Sequence, residues 1–262
     1  MNDWLVPLVT SADHILDAGC GPKGSWWWPH KRPEAALVAV DMHFKPSPLP
    51  PGARFVQSDL VGFCSQPEYE QHFDLCVADH VFEHVPDMAA LARGLERVLV
   101  PGGRLHVGIP DATMFTDRFY HLIHPEGGGH ISQPTLESLT DLLHAAGFAR
   151  VEHRPWADDW RWLKESYDWK ARGIRYFSQA DLDFLADVFL KELTPEKGYY
   201  YGWEIVFRKD TNVTRESEKP GAAERDRAPA PPMHFVQEPL MGRLVRLLRQ
   251  ASRRRSRQDR SA

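Results

Sequence analysis

The stretch His14–Gly24, HILDAGCGPKG, decides how the rest of the chain is read. Ile15 and Leu16 suit a strand buried on both faces. The run ends in Asp17 and drops at once into a turn that carries Gly19, Gly21 and Gly24. Small residues at a strand end let backbone come close to a ligand, and backbone N–H groups there commonly hold it.

Strand-like segments recur outward from this point. Leu37–Val40 ends in Asp41, Arg54–Gln57 is followed by Ser58-Asp59-Leu60, and Phe73–Ala78 by Asp79-His80. Arg104–Ile109 follows a Pro101-Gly102-Gly103 turn, and Phe148–His153 and Tyr200–Phe207 complete the set. Between them lie helical patterns. Residues 2–10 read as a short helix, and Met88, Leu91, Leu95, Val98 and Leu99 recur at helical spacing. A third helix starts at Pro134-Thr135, carries Leu136, Leu139, Leu142 and Leu143, and closes at Gly147. A helix should also follow the glycine turn, but Pro29 behind Trp26, Trp27 and Trp28 permits only a short or broken one. Strands alternating with helices call for an α/β fold, a parallel sheet covered by helices on both faces.

Residues 155–199 form an insertion too long for an ordinary connection and read as a small helical cap. One of its helices holds Trp160, Trp162, Tyr167 and Trp169. A second, after Ser178, holds Leu182, Leu185, Val188 and Phe189. The expected organisation is one domain over 1–210, a disordered linker over 211–232 and a basic amphipathic tail over 233–262. The tail's apolar face is Leu240, Met241, Leu244, Val245, Leu247 and Leu248.

The chain's net charge is −4, which argues against bulk nucleic-acid binding. The tail holds eight arginines against Glu238 and Asp259, a net +6, so the rest of the chain carries −10. Residues 240–257 are therefore a candidate for peripheral membrane contact or for a protein partner. Cys20, Cys64 and Cys76 are an odd, scattered set without metal-ligand spacing, and a reducing compartment is the simpler reading. The N-terminus lacks a basic segment and a long apolar run, and no apolar stretch is long enough to span a bilayer. The expected location is cytoplasmic, with the inner membrane face as a place the tail could reach.

Gly19, Gly21 and Gly24 satisfy G-x-G-x-x-G, which alone formally fits a nicotinamide or flavin dinucleotide. The surrounding acids point elsewhere. Asp17 stands where a carboxylate could take the ammonium of an amino-acid ligand. Asp41, 24 positions on, could reach two ribose hydroxyls, and Asp59 an adenine amine. Ammonium, ribose diol and adenine amine together describe S-adenosylmethionine (SAM). A pyrophosphate would be repelled by Asp17, by about 1 kcal/mol in water and several times more in a half-buried cleft.

ILDAGCGPKG, VAVD, QSDL, FDLCVADHVFEHVPD, RVLVPGGRLHVGIPD and the GGGHIS…LLHAAGF stretch together resemble class I SAM-dependent methyltransferases. The group they look most like is the small bacterial methyltransferase-domain proteins of type 11. The resemblance covers about residues 14–154, with the strand near 200–208 completing the sheet. It implies a Rossmann-like seven-stranded sheet whose last strand is antiparallel, with cofactor at the C-terminal strand edges. By the same resemblance Asp17, Gly19 and Gly21 hold the methionine end, Asp41 the ribose, and Asp59 with Leu60 the adenine, with Met42 a further cofactor-binding candidate. Asp79 and His80 would face the methyl group. The acceptor it implies is a small molecule or saccharide, methylated on a hydroxyl. In two respects the pattern departs: Lys23 stands where the family often has glycine, and the helix after the turn is broken by Trp26–Pro29.

A hydroxyl nucleophile gains about 10²–10⁴-fold from a general base. His80, His84, His130 and His124 are the candidates, since histidine titrates near neutral pH. Each also has a plain structural reading: His84 as a helix-start residue, His80 as pocket wall, His130 as a loop residue. Glu83 and His84 could suggest a metal, but no third ligand stands at a diagnostic spacing. Two other functions stay open at this point. One is an NAD-dependent oxidoreductase. The other is a non-catalytic SAM-binding or scaffold protein, for which Lys23 and the broken helix argue.

Overall fold

The computed structural model describes residues 4–123, 129–156, 178–194 and 197–211. His124, the first cap helix, the linker beyond Thr211 and the basic tail lie outside the described residues.

A single seven-stranded sheet runs in the order β3-β2-β1-β4-β5-β7-β6. β1 (His14–Ala18) lies between β2 (Ala36–Asp41) and β4 (Phe73–Asp79), parallel to both. β3 (Ala53–Gln57) extends one side and β5 (Leu99–Pro110) the other, again parallel. β7 (Gly202–Lys209) is antiparallel to β5 and to β6 (Phe148–Trp156), as expected for the last strand. The chain leaves β1 toward β2 and returns to β4 on its other side, so the strand order reverses there. A crevice opens beyond the C-terminal ends of strands at such a switch point.

Helices cover both faces, but unequally. α2 (Leu60–Cys64), α3 (Met88–Val98) and α5 (Leu136–Ala145) bury Phe63, Leu91, Leu95, Val98, Leu139 and Leu143 against Leu16, Val40, Cys76 and Val107. Thr135 caps α5 through a reciprocal pair with Ser138, which satisfies the free N–H groups of the first turn. On the other face α1 (Leu5–Ser11) sets Leu5 and Val9 on Ile15, Leu37, Leu75 and Val77. The connections β1–β2 and β2–β3 contain no α-helix. The first has only a 3₁₀ turn, Trp28–His30, as Pro29 required. Trp27 and Trp28 fill the space that a helix would occupy and are buried with α1.

Two helices exceed the sequence expectations. α2 is a short helix after β3. α4 (Phe115–Ile123) stands where a loop was expected after the fifth strand. Its Phe115 and Phe119 meet Phe189 of α6 (Gln179–Glu192) edge-on, with ring centroids 5.7 and 5.0 Å apart. α4 thus packs on α6, the helix of the expected 155–199 cap that lies among the described residues. β5 starts earlier than expected, at Leu99, and Pro101-Gly102-Gly103 is an irregularity within the strand rather than a turn before it. No helix among the described residues is long and apolar enough to cross a membrane. All three cysteines are free and buried, and burial pushes the Cys20 and Cys64 thiols up to about 12.

Candidate active site

The C-terminal strand edges gather acids. Asp17, Asp41 and Asp79 end β1, β2 and β4 on the α1 face, close enough that Asp79 and Asp41 both act on Asp17. Asp17 is 2% exposed and accepts hydrogen bonds from Ser25 Oγ (2.7 Å) and Trp28 Nε1 (2.6 Å). Burial pushes its carboxyl up to about 7. The bonds from Ser25 and Trp28 oppose that shift, and repulsion from Asp79 and Asp41 adds to it. The sequence expectation that Asp17 takes a ligand ammonium directly is therefore revised. Asp17 lies beneath the loop, with Trp28 as its partner, and acts on the cleft through its charge.

The glycine turn is closed on itself. Gly19 and Cys20 donate their N–H groups to the Val40 carbonyl at 2.8 and 3.1 Å, and Gly21 N–H donates to Asp41 Oδ2 at 3.0 Å. Gly24, at φ +71°, leaves no room for a Cβ, which would sit 2.2 Å from the Trp28 ring. A pyrophosphate needs outward N–H groups and the N-terminus of a following helix. Here the N–H groups of Gly19, Cys20 and Gly21 are used and no α-helix follows, so the dinucleotide reading fails.

Asp41 holds its own loop as well. Its Oδ1 accepts from His43 N–H at 2.8 Å and Phe44 N–H at 2.9 Å. Half-buried and fixed from both sides, it keeps further acceptor capacity for a diol. Asp59 caps α2 through Gly62 N–H at 2.7 Å and is exposed beyond that bond, and Leu60 packs against the core. Trp26, Met42, Phe44 and Val61 are exposed apolar side chains, and all four stand where the chain leaves β1, β2 or β3 at this edge. An apolar rim around fixed acceptors suits a nucleoside, and three convergent carboxylates suit a cation. SAM brings both, with a sulfonium and an ammonium, so the residues present fit it. Gly19, Gly21 and Asp41 would line its amino-acid and ribose parts, with Asp17 acting on the ammonium from beneath the loop through its charge and Met42, Asp59 and Leu60 along the base.

The other side of the crevice carries histidines. His80, just past β4, has φ +55°, a left-handed backbone that costs about 1–3 kcal/mol in a non-glycine residue. Its N–H donates to the Gly108 carbonyl at 3.0 Å, and its ring meets Trp156 edge-on at 4.5 Å. Asp79 occupies the space over Gly108, where a Cβ would lie 2.0 Å from Asp79 Oδ1. His80 Nδ1 lies 3.0 Å from Oε1 of Glu83, a fully buried carboxylate. Burial pushes Glu83 up, but the hydrogen bond and charge of His80 outweigh it, and its pKa lies below the ordinary value. An ionised Glu83 can only accept, so His80 Nδ1 donates to it and the ring is oriented by that bond.

His84 is exposed, and its Nδ1 donates to the Gly129 carbonyl at 2.9 Å. The segment after Gly129 is pinned to the same turn: Ile131 and Ser132 both donate N–H to the Glu83 carbonyl, at 2.8 and 3.2 Å. His130 lies 4.9 Å from the His84 ring. Its side chain is only 5% exposed, with Nδ1 toward Asp117. The structure thus brings His80, His84 and His130 together, but only His80 combines an ionised partner with partial exposure. The sequence reading weighed Glu83 only as a metal ligand; its spacing three residues after His80 was the available signal. Trp156 falls in sequence with the cap tryptophans, as a sugar-stacking or cap-core residue, and stands instead at the far end of β6 beside His80.

A reversed parallel sheet with an antiparallel seventh strand and an acidic cleft at its switch point defines a class I SAM-dependent methyltransferase. The model of the methyltransferase domain matches residues 10–153, and the chain belongs to that family. Among curated relatives, a trans-aconitate 2-methyltransferase of Methylobacterium nodulans is 36% identical over 113 residues, 40% of this chain and 41% of that protein. One from Escherichia coli O157:H7 is 34% identical over 111 residues, 40% of this chain and 42% of its own. The chain therefore spans about two fifths of the length of the curated relatives it matches. Among solved structures, a SAM-dependent methyltransferase from Archaeoglobus fulgidus matches with a TM-score of 0.52 at 15% identity, over 79% of this chain and 91% of that one. The [4+2]-cyclase SpnF matches with a TM-score of 0.50 at 16% identity, over 79% and 81%. These likenesses concern the fold alone, and the second is to a protein named for a different reaction.

Proposed function

We propose that the chain transfers a methyl group from SAM to an oxygen atom of a small molecule, with His80 as general base. The observation that carries this reading is the His80–Glu83 pair at 3.0 Å beside Asp79, at the cofactor edge. The bound cofactor supplies an activated methyl group whose leaving group departs neutral. The chain must align the nucleophile, and orientation is worth about 7–11 kcal/mol. Trp156 and Tyr201 flank the His80 ring at 4.5 and 6.0 Å and form an aromatic wall for the acceptor. Glu83 fixes the His80 tautomer and stabilises the imidazolium formed as the acceptor loses its proton. Trans-aconitate, named in the curated relatives, joins hydroxyl compounds and saccharides among the acceptors to test.

The test has two stages. Calorimetry with S-adenosylhomocysteine (SAH) and with NAD comes first: SAH binding alone is expected, and binding of NAD alone, or of neither, would overturn the methyltransferase reading. Release of SAH from SAM is then followed across a panel of hydroxyl, carboxyl and amine acceptors. Turnover confined to amines would refute the oxygen acceptor while leaving methyl transfer intact.

A further inference from the structure

Asp117 and His121 stand at i and i+4 on α4, and so share one face of the helix. His130 reaches the same point from the segment after it. His121 Nε2 lies 3.5 Å from Asp117 Oδ2, and His130 Nδ1 lies 3.6 Å from Asp117 Oδ1. The side chains of Asp117 and His130 are 3% and 5% exposed, and that of His121 is 20% exposed. Asp117 Oδ1, His121 Nε2 and His130 Nδ1 are all buried without a hydrogen-bond partner. Three such atoms facing one another are costly unless something satisfies them, since each orphaned buried polar group costs about 1–3 kcal/mol.

We propose that Asp117, His121 and His130 bind one divalent transition-metal ion, Zn²⁺ by preference. Four ligands at about 2.0–2.1 Å from a tetrahedral metal stand about 3.3–3.4 Å from one another. The two measured separations are close to that edge length, and longer than direct hydrogen bonds. Two imidazoles and a carboxylate form a donor set suited to Zn²⁺ and its first-row neighbours, not to Ca²⁺ or Mg²⁺. Three protein ligands leave a fourth position for water or another oxygen. The rings are held in place for this task. His130 stacks on Tyr120 at 5.0 Å with a 22° tilt, and the neighbouring Gly129 carbonyl is fixed by His84. The ion would tie α4 to the segment that is pinned on Glu83, joining the cap to the catalytic side of the crevice. No single stretch of sequence discloses this site, because its third ligand lies nine residues beyond the helical pair.

The full chain, stripped with a chelator, is titrated with ZnCl₂ by calorimetry and with Co²⁺ by visible absorption. One equivalent should bind, with the intense visible bands of tetrahedral Co²⁺. Asp117→Asn and His121→Gln should each weaken Zn²⁺ by about 100-fold or more and abolish the bands. SAH affinity and the far-UV spectrum of each variant verify folding. His84→Gln separates this site from a second grouping, Glu83, His84 and His130, which also shares His130. It should leave Zn²⁺ binding unchanged. Three results would overturn the proposal: no binding to a folded wild-type chain, binding that survives Asp117→Asn and His121→Gln, or loss on His84→Gln alone. None of them bears on SAH binding, so the methyltransferase reading stands or falls separately.

Discussion

The two halves of the crevice are built on different principles. On the β1–β3 side, the polar groups are fixed by short-range bonds: Asp41 holds Gly21, His43 and Phe44 and keeps capacity only for a diol, and Asp17 holds Ser25 and Trp28. On the β4–β6 side, groups from distant segments converge and leave capacity over, as with Glu83 Oε2, buried without a hydrogen bond. A rigid cradle suits a ligand that is the same in every turnover. Residual capacity suits the partner that reacts.

The sharpest way to test this contrast is to damage each half separately. His80→Gln removes the proposed base but not its place in the wall. Turnover should fall about 10²–10⁴-fold, while SAH affinity holds within about twofold of wild type. A matching loss of SAH affinity would mean that the two halves are one site energetically. Asp41→Ala should do the reverse. It strips a carboxylate that anchors three N–H groups, and charge-assisted bonds are worth about 1.5–3 kcal/mol. SAH binding should weaken about 10- to 100-fold. Unchanged affinity would show that the ribose is not held at β2.

The same contrast explains what could be read from the sequence. Asp17, Asp41 and Asp59 are legible because each stands at or just past the C-terminal end of its own strand, and strand ends are where an α/β sheet puts ligands. Their detailed use was less legible. The side chain of Trp28 occupies Asp17, because Pro29 denies the chain a helix and the tryptophans turn inward instead. Glu83 was visible as a residue but not as the partner of His80, because that contact needs the left-handed turn at His80. α4 escaped because its mixed sequence FTDRFYHLI has an apolar face that is meaningful only against α6. Asp117 and His121 escaped with it, and His130 reads in sequence as a candidate base rather than as their neighbour.

A smaller effect is expected at the tryptophan plug. Gly24→Ala places a Cβ against the Trp28 ring and imposes strain at φ +71°. The loss should be about 1–3 kcal/mol, read as a lower midpoint in urea. A neutral result would mean that Trp28 can withdraw from Asp17 at little cost. SAH affinity should fall with stability only if the plug shapes the cradle.

The smallest effect follows from Asp17, whose carboxyl titrates at about 7. A raised carboxyl pKa means that the native protein holds a proton which the unfolded chain has already lost. This group therefore lowers stability as pH rises from about 4 through about 7. A cation bound above the loop reverses part of that shift, because it favours the charged carboxylate. Binding of SAM should then expel a proton near neutral pH. Its affinity should rise by up to about tenfold per pH unit below pH 7 and level off above it. SAH carries the same amino group but no sulfonium, so its affinity should rise less steeply. Calorimetry in buffers of different ionisation enthalpy measures the released proton directly. Asp17→Asn keeps an acceptor for Ser25 and Trp28 but cannot ionise, and it should remove the difference between the two ligands. If SAM and SAH keep parallel pH profiles in the wild-type chain, the buried charge on β1 does not sense the sulfonium.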